Sequence, residues 1–163
     1  MTKLERIEAK IIEPDQLDKL LNLWRFKGEK IVFTNGCFDI LHLGHLKYLA
    51  SAAELGTKLI IGLNTDASVK KLKGNDRPIN NEIARASVLA GFSFVDALVF
   101  FDTDTPYELI KQVKPHFLVK GGDYKAEDIV GYDIVTENKG QVVTIQFVDG
   151  FSSTSIIKKG RLA

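Results

Sequence analysis

The sequence has one cysteine, no long apolar run and almost no excess of charge of either sign. The single Cys37 excludes an intrachain disulfide framework and a zinc site built on paired thiolates, so we expect a reducing compartment. The N-terminal stretch MTKLERIEAKIIEPD alternates charged and apolar residues and lacks the apolar core of a signal peptide. No later run has the length of a membrane span. We therefore expect a cytoplasmic protein with no membrane partner.

The charge balance argues against a nucleic acid partner. Lysine and arginine number 22, aspartate and glutamate 21, and the net charge at pH 7 is +1. Proteins that bind nucleic acid chiefly through its phosphates carry a clear basic excess, which is absent here, although a local basic site is still allowed. The length of 163 residues and the 45% hydrophobic content fit one globular domain with a full core, so one compact unit must perform any chemistry.

Residues 1–28 are predicted to form a helical lead-in that packs by one face onto a domain formed by residues 29–163. Four apolar residues of the lead-in recur at three- and four-residue spacings: Leu17, Leu20, Leu21 and Trp24. After Gly28, short β-rich runs alternate with helical patterns. The predicted strands are Ile31–Thr34, Leu59–Leu63, Ala97–Phe101, Phe117–Val119 and Val142–Phe147. This alternation predicts an α/β fold, a parallel sheet flanked by helices on both faces, with ligands at the carboxyl ends of the strands.

The most informative stretch is Thr34–His45, TNGCFDILHLGH, between the first predicted strand and the first predicted helix. The segment that follows is predicted to be a helix ending near Gly56, because four apolar residues recur at helical spacing: Leu46, Leu49, Ala50 and Ala53. At helical spacing, His42 and His45 project from one side of the helix entrance, and Gly44 leaves no side chain to block a ligand between them. A helix N-terminus adds free N–H groups and a partial positive charge, so we predict a site for a phosphate chain.

Histidines in an isolated pair more often cap a helix or are satisfied within a core. Here two of the three histidines share one turn around a glycine, directly after a strand that ends in Thr-Asn-Gly, which favours phosphate binding. Nucleotidyl transfer needs in-line positioning and donors aimed at the charge on the transferring phosphorus, which two imidazoles can supply. His116, between Pro115 and a predicted strand, is expected to be structural. A nucleophilic role for Cys37 is not expected, because no base is placed to activate it.

Thr34–His45 resembles the HxGH signature of the cytidylyltransferase-like nucleotidyltransferase superfamily. Further blocks extend the resemblance from about Lys30 to Lys159 and narrow it to the adenylyltransferases of heptose 1-phosphate: Asn64–Ser68, Leu72–Gly74, Arg77-Pro78, Arg85, Val95-Asp96, Asp104–Pro106, Leu118–Tyr124 and Ser152–Ile156. HxGH specifies only the superfamily, whereas the LKG, RP and LVKGGDY blocks together are much more specific.

The resemblance implies a Rossmann-like fold and an enzyme that transfers AMP from ATP to D-glycero-β-D-manno-heptose 1-phosphate. The products would be pyrophosphate and ADP-heptose, a precursor of lipopolysaccharide core. It also implies direct displacement, with Mg²⁺ accompanying ATP and no metal site formed by the protein. Some relatives are fused to a ribokinase-like sugar kinase, and we expect that kinase to be a separate protein here because it does not fit in 163 residues. A homodimer is compatible with the sequence.

The resemblance further implies roles for individual residues. The expected catalytic residues are His42, His45 and Lys73. The expected nucleotide-binding residues are Thr34, Asn35, Gly36, Phe38, Gly44, Arg85, Lys120, Gly121, Gly122, Asp123, Ser152, Ser153, Thr154 and Ser155. The expected substrate-binding residues are Asp39, Asn64, Asp66 and Arg77.

Local physics leaves alternatives open for several of these residues. The Ser152–Ser155 cluster could be a plain helix cap, since serine and threonine are common capping residues. The Lys120–Asp123 segment could be a tight turn whose glycines only reverse the chain. Asp39 could orient a histidine, hold a metal-bound water or cap the helix. Lys70 and Lys71 are expected on a solvated face.

Two other functions are also compatible with the sequence, a glycerol 3-phosphate cytidylyltransferase and a catalytically silent nucleotide-binding protein. Related cytidylyltransferases commonly carry Arg-Thr shortly before the final serine and threonine cluster. This chain has Phe147-Val148-Asp149 there, which favours adenylyl transfer. The intact His42, Gly44 and His45 argue against a silent protein.

Overall fold

A computed structural model of the chain describes residues 1–146 and 150–160. The helices are α1 (Lys3–Glu8), α2 (Pro14–Phe26), α3 (Leu43–Ala53), α4 (Asp66–Lys73), α5 (Glu82–Ala90), α6 (Tyr107–Val113), α7 (Tyr132–Glu137) and α8 (Ser153–Gly160), with a 3-10 helix at Ala126–Asp128. The strands are β1 (Ile31–Gly36), β2 (Lys58–Asn64), β3 (Ala97–Phe101), β4 (Phe117–Gly121) and β5 (Gln141–Ile145).

The five strands form one parallel sheet in the order β3-β2-β1-β4-β5. Strand β1 lies at the centre and pairs with β2 from Ile31 opposite Lys58 to Gly36 opposite Leu63. From β1 the chain builds outward to β3, and then returns to the other side of β1 as β4. This switch in strand order opens a crevice beyond the carboxyl ends of β1 and β4, where open α/β sheets bind their ligands.

Each face of the sheet is covered by helices, as the sequence predicts. Ile31 and Phe33 of β1 point into a core shared with α2, α6 and α7. Val32 points into a second core, on the opposite face, shared with α3 and α5. Successive residues of a strand face opposite sides, so a strand buried on both faces reads as a continuous apolar run. The prediction of an α/β sheet with helices on both faces is therefore confirmed.

The predicted strands are found, with differences at their ends. Strands β1 and β4 each run two residues beyond their predicted limits and reach Gly36 and Gly121. Strand β5 ends at Ile145, and Phe147 lies outside the described residues. Helix α3 ends at Ala53 rather than near Gly56, because the amides of the next residues bond back over a tighter turn, that of Gly56 to the Ala53 carbonyl at 3.3 Å.

The N-terminal lead-in is more closely integrated with the sheet than predicted. Helix α2 packs by its apolar face as expected, and Leu17 and Leu21 are fully buried. Between α1 and α2, Ile11 bridges to Leu98 of the edge strand β3, so this segment covers part of the sheet edge. Lys10 Nζ donates 3.0 Å hydrogen bonds to the carbonyls of Ala90 and Phe92 at the end of α5. None of the described helices is long and apolar enough to cross a membrane.

Candidate active site

Two cavities lie at the switch in strand order and meet at the end of β1. The larger has a volume of about 380 Å³ and the smaller about 170 Å³. Both are lined by four residues: Asn35, Gly36, Cys37 and Lys120. The first three belong to β1 and the loop after it, and Lys120 comes from β4, which is the next strand across the switch. A ligand that spans both cavities must therefore pass this junction.

The two histidines of the HxGH motif stand together at the start of α3. Their rings are stacked, with centroids 3.9 Å apart and planes inclined by 23°. His42 occupies the N-cap position, yet its side chain makes no capping hydrogen bond. The Nδ1 atoms of both rings are buried and have no hydrogen-bond partner among the described residues. Since buried polar atoms are normally satisfied, neither the capping nor the core interpretation accounts for these atoms, and a ligand could satisfy them.

The environment of the histidines favours their neutral forms. Burial lowers the pKa of His45 to about 4, and the neighbouring His42 and Lys73 contribute in the same direction. Burial also lowers the pKa of His42 below its usual value. A phosphate chain in this cavity would supply the negative charge that favours protonated imidazole, so an anion would reverse these shifts.

Gly44 and Phe38 shape the histidine pair, and Phe38 also lines the smaller cavity. A Cβ at Gly44 would lie 3.0 Å from Nδ1 of His42 and 3.3 Å from Cβ of Phe151. The missing side chain thus makes room for the His42 ring itself, where the sequence led us to expect a ligand between the histidines. Phe38, expected to bind nucleotide, is only 6% exposed and packs edge-on against His45, with ring centroids 5.3 Å apart. It therefore holds the catalytic candidate in place.

Lys73 and Ser153 complete the wall of the smaller cavity beside His45. Lys73 is the last residue of α4. Its ammonium group has no hydrogen bond or ion pair among the described residues. This places an exposed, unpaired cation within the electrostatic reach of His45, the arrangement needed to neutralise a polyphosphate.

The serine and threonine cluster lies at the amino end of α8. Ser152 Oγ accepts a 3.0 Å hydrogen bond from the Ser155 amide, and Ser153 Oγ donates a 3.2 Å bond to the Ile40 carbonyl. The first bond is a helix cap, so that interpretation holds for Ser152, while Ser153 also lines the smaller cavity. Thr154 is exposed and lines neither cavity. The segment 147–149, where cytidylyltransferases carry Arg-Thr, lies outside the described residues.

Asp39 and Arg77, both expected to bind substrate, form an ion pair, and Arg77 Nη2 is buried with no hydrogen-bond partner among the described residues. The Asp39 carboxylate is fully buried, lies 2.6 Å from Arg77 Nε, and accepts hydrogen bonds from the amides of Ile79 and Asn80 at 2.8 and 3.0 Å. Burial acts to raise its pKa, but these hydrogen bonds and the Arg77 charge leave the pKa below its usual value. The carboxylate is thus saturated, and its role is to fix the loop before α5.

Arg85, expected to contact the triphosphate, is engaged by partners within the protein. Its side chain is 1% exposed, and its three nitrogens donate to the Asn80 carbonyl at 3.0 Å, the Cys37 carbonyl at 2.6 Å and the Asp66 carboxylate at 2.8 Å. Asp66, expected to bind substrate, is the partner in that ion pair. Arg85 therefore ties the β1–α3 loop to α4 and to the loop before α5, and each of its three buried nitrogens has an oxygen partner.

Thr34 and Asn64 support the crevice from beneath. The Thr34 hydroxyl is buried and lies 2.6 Å from that of Tyr48, which also donates to the Val119 carbonyl at 3.2 Å. The side chain of Thr34, expected to bind nucleotide, thus faces the core. Asn64 lines the larger cavity, donates to Ser68 Oγ at 2.9 Å and accepts a weak 3.8 Å bond from the Cys37 thiol.

The Lys120–Asp123 segment divides into two halves. Lys120 is half-buried and lines both cavities, Gly121 lines the smaller one, and burial lowers the pKa of Lys120. Gly122 has a φ of 112° and donates its amide to the Ile145 carbonyl at 2.9 Å, and Asp123 is exposed. Neither of these two residues lines a cavity, so the turn interpretation fits them and the binding interpretation fits Lys120 and Gly121.

Most of the outer wall of the larger cavity was not predicted from the sequence. The residues without an assigned role are Leu72, Phe101, Asp104, Thr105, Pro106, Tyr124, Asp128, Ile129 and Val130. Asp104–Pro106 could have been found, because these residues follow the end of β3 and belong to one of the family blocks. Asp128 belongs to a 3-10 helix that no apolar periodicity in the sequence predicts.

His116 and the described acidic residues form no second catalytic or metal-binding site. His116 Nδ1 accepts a 3.0 Å hydrogen bond from the Ile31 amide, in agreement with the expected structural role. Lys70 and Lys71 are exposed, as predicted. Within residues 1–146 and 150–160, no three His, Cys, Asp or Glu side chains are placed to hold a metal ion together.

Comparison with known proteins places this site in a family. The cytidylyltransferase-like family model matches residues 33–159. The chain is 54% identical over 152 residues to the bifunctional protein HldE of a Marinomonas species, covering 93% of this chain and 32% of that protein. It is 60% identical over 135 residues to HldE of a Nitratiruptor species, covering 83% and 28% respectively. The chain thus spans about a third of the length of these relatives.

Two solved structures share the architecture. The lipopolysaccharide core biosynthesis protein from Thermoplasma volcanium matches 74% of this chain and 98% of its own, with 26% identity and a TM-score of 0.60. Pantoate-β-alanine ligase from Francisella tularensis matches 93% of this chain and 77% of its own, with a TM-score of 0.63, and at 15% identity it supports the fold alone. From the family match over residues 33–159 and the HldE identities, the chain belongs to the cytidylyltransferase-like family of nucleotidyltransferases.

Proposed function

We propose that the protein transfers AMP from ATP to D-glycero-β-D-manno-heptose 1-phosphate and releases ADP-heptose and pyrophosphate. The observation that carries the proposal is the smaller cavity, in which His45 meets Lys73 and the amino end of α8. The His42 ring stacks on His45, and the Nδ1 atoms of both rings have no hydrogen-bond partner among the described residues. These groups suit a triphosphate. The resemblance to heptose 1-phosphate adenylyltransferases and the likeness to a lipopolysaccharide core biosynthesis protein support the choice of acceptor.

In the proposed reaction, a phosphate oxygen of the sugar 1-phosphate attacks the α-phosphorus of ATP and pyrophosphate leaves. The acceptor would occupy the larger cavity and the triphosphate the smaller one, so that the attack takes place at their junction beside Lys120. The imidazoles would donate hydrogen bonds to the charge that develops on the α-phosphoryl group, and Lys73 would hold the departing phosphates. No covalent intermediate is required, because both reactants are held side by side.

A divalent cation such as Mg²⁺, bound with the phosphates of ATP, would neutralise part of their charge. The protein groups fit a cation that arrives with its substrate, because Asp39, the buried carboxylate nearest the motif in sequence, is committed to Arg77. Phosphates and water would then supply most of the coordination, as magnesium prefers. The proposed setting is the bacterial cytoplasm, with a sugar kinase activity upstream of this step.

The test is pyrophosphate release in the four combinations of ATP or CTP with heptose 1-phosphate or glycerol 3-phosphate. We expect ATP with heptose 1-phosphate to exceed the glycerol acceptor by about 10³-fold or more in kcat/KM, since several polar contacts would be lost together. The variant His45→Gln serves as the inactive control.

A clear preference for CTP with glycerol 3-phosphate would contradict the proposed substrates and still support nucleotidyl transfer. Absence of pyrophosphate release in every combination, with Mg²⁺ present and both substrates shown to bind, would contradict nucleotidyl transfer itself. That outcome would instead favour the silent nucleotide-binding protein.

A further inference from the structure

The larger cavity has opposite charges at its two ends. Lys120 is its one basic lining residue among those the structure describes, and it stands at the junction with the smaller cavity. Asp104 and Asp128 line the larger cavity only, and both are exposed. Asp104 comes from the loop after β3 and Asp128 from the 3-10 helix after β4, so the carboxylates approach from the two sides of the switch.

Neither carboxylate is neutralised by a neighbour. Within residues 1–146 and 150–160, the Asp104 and Asp128 side chains make no ion pair and no hydrogen bond. Three other acidic residues near the crevice are engaged: Asp39 with Arg77, Asp66 with Arg85, and Asp102 with Thr65. An ionised carboxylate accepts hydrogen bonds and donates none. It therefore binds hydroxyl groups and repels a second anion.

We infer that Asp104 and Asp128 make the acceptor site selective for a polyhydroxylated molecule with a single phosphate. The phosphate lies at Lys120, beside the reacting α-phosphorus. The neutral body of the acceptor extends outward and donates its hydroxyls to the two carboxylates. An acceptor with a second phosphate at its far end brings that phosphate against Asp104 and Asp128 and is rejected. The inference rests on the proposed function, because it takes the larger cavity as the acceptor site.

The size of the expected preference for the monophosphate follows from the solvent exposure of the two carboxylates. Charges in contact with solvent interact weakly and are screened by salt, so each carboxylate should contribute about a tenfold preference. Together they should favour the monophosphate over the same sugar phosphorylated also on its terminal hydroxyl by about 100-fold in kcat/KM. Raising the ionic strength from about 0.05 M to 0.5 M should reduce that ratio several-fold.

The experiment compares wild-type protein with the double variant Asp104→Asn, Asp128→Asn and the matched control Glu108→Gln, Glu127→Gln. The control removes the same charge from exposed glutamates nearby in sequence, and these glutamates line neither cavity. Each protein is assayed by pyrophosphate release with heptose 1-phosphate and with its bisphosphate, and by calorimetric binding of both acceptors. Binding is measured because it requires no turnover.

The inference predicts that the asparagine variant loses most of the discrimination, chiefly through better use of the bisphosphate, while the glutamine control keeps it. An unchanged ratio in the asparagine variant would overturn the inference, as would wild-type protein that binds both acceptors equally or binds neither. Discrimination in binding without any pyrophosphate release would contradict the proposed function and leave the charge selectivity of the cavity supported.

Discussion

Acidification should destabilise the protein through His45, and the effect can be isolated by substitution. The pKa of His45 is about 4 in the folded protein, against an ordinary value of 6.5 for the unfolded chain. The unfolded state therefore binds the proton more readily. Stability from the neutral ring is fully present above pH 6.5 and is lost as the pH falls from 6.5 towards 4.

The magnitude follows from the same two values. At pH 5 the unfolded chain is mostly protonated at this position and the folded protein mostly neutral, which lowers the free energy of unfolding by about 2 kcal/mol relative to pH 8. His45 is only partly buried, and solvent screening reduces the expected effect to about 1 kcal/mol. The pKa values of His42 and His116 are also lowered, so both residues reduce the free energy of unfolding on acidification. They do so equally in the wild-type protein and in the His45 variant.

The assay is urea denaturation at pH 8, 7, 6 and 5 for wild-type protein and His45→Gln. Glutamine does not titrate, so the difference in the free energy of unfolding between the two proteins isolates His45. We expect that difference to shift by about 1 kcal/mol in favour of the variant between pH 8 and pH 5. Parallel pH curves for the two proteins would refute the reasoning, because the buried ring would then not carry the depressed pKa.

Three further predictions concern the site. His45→Ala should lower kcat by about 100-fold or more with little change in the Kd for ATP, as steady-state kinetics and calorimetry would show, and near-normal turnover in a folded variant would remove His45 from the mechanism. Lys73→Ala should raise the KM for ATP while leaving Tm unchanged, since the side chain is exposed, and a lower Tm with intact kinetics would show a structural role. Asp39→Asn should lower the free energy of unfolding by about 2–4 kcal/mol, because it breaks a buried ion pair, and an unaltered denaturation midpoint would contradict this.

The parts of the molecule that depend on local pattern could be predicted from the sequence. Alternating β-rich and helical runs indicated all five strands, and the strand, turn and helix order around Thr34–His45 located the histidines at the entrance of α3. These features are encoded within about twenty residues, where periodicity and turn chemistry operate.

Two of the expected site residues have partners that are distant in sequence. Arg85 and Asp39 were expected to contact ligands because the family resemblance implied those roles. The structure gives each of them partners on other elements, Arg85 to Cys37 and Asp66, and Asp39 to Arg77. A single sequence does not show which charges the fold will pair. Burial determines which charges are paired, since a charge removed from water must be compensated within the protein.

The central position of β1 has a consequence for how such a site can diversify. The loop after β1 borders both cavities, whereas the outer walls come from different elements: α3 and α8 for the smaller cavity, and the β3–α6 loop and the 3-10 helix for the larger. Among the described helices, only α4 reaches both, through Leu72 and Lys73. Insertions or substitutions in the β3–α6 loop and the 3-10 helix can thus alter the choice of acceptor without disturbing the stacked imidazoles, so this architecture lets new specificities evolve around an unchanged reaction centre.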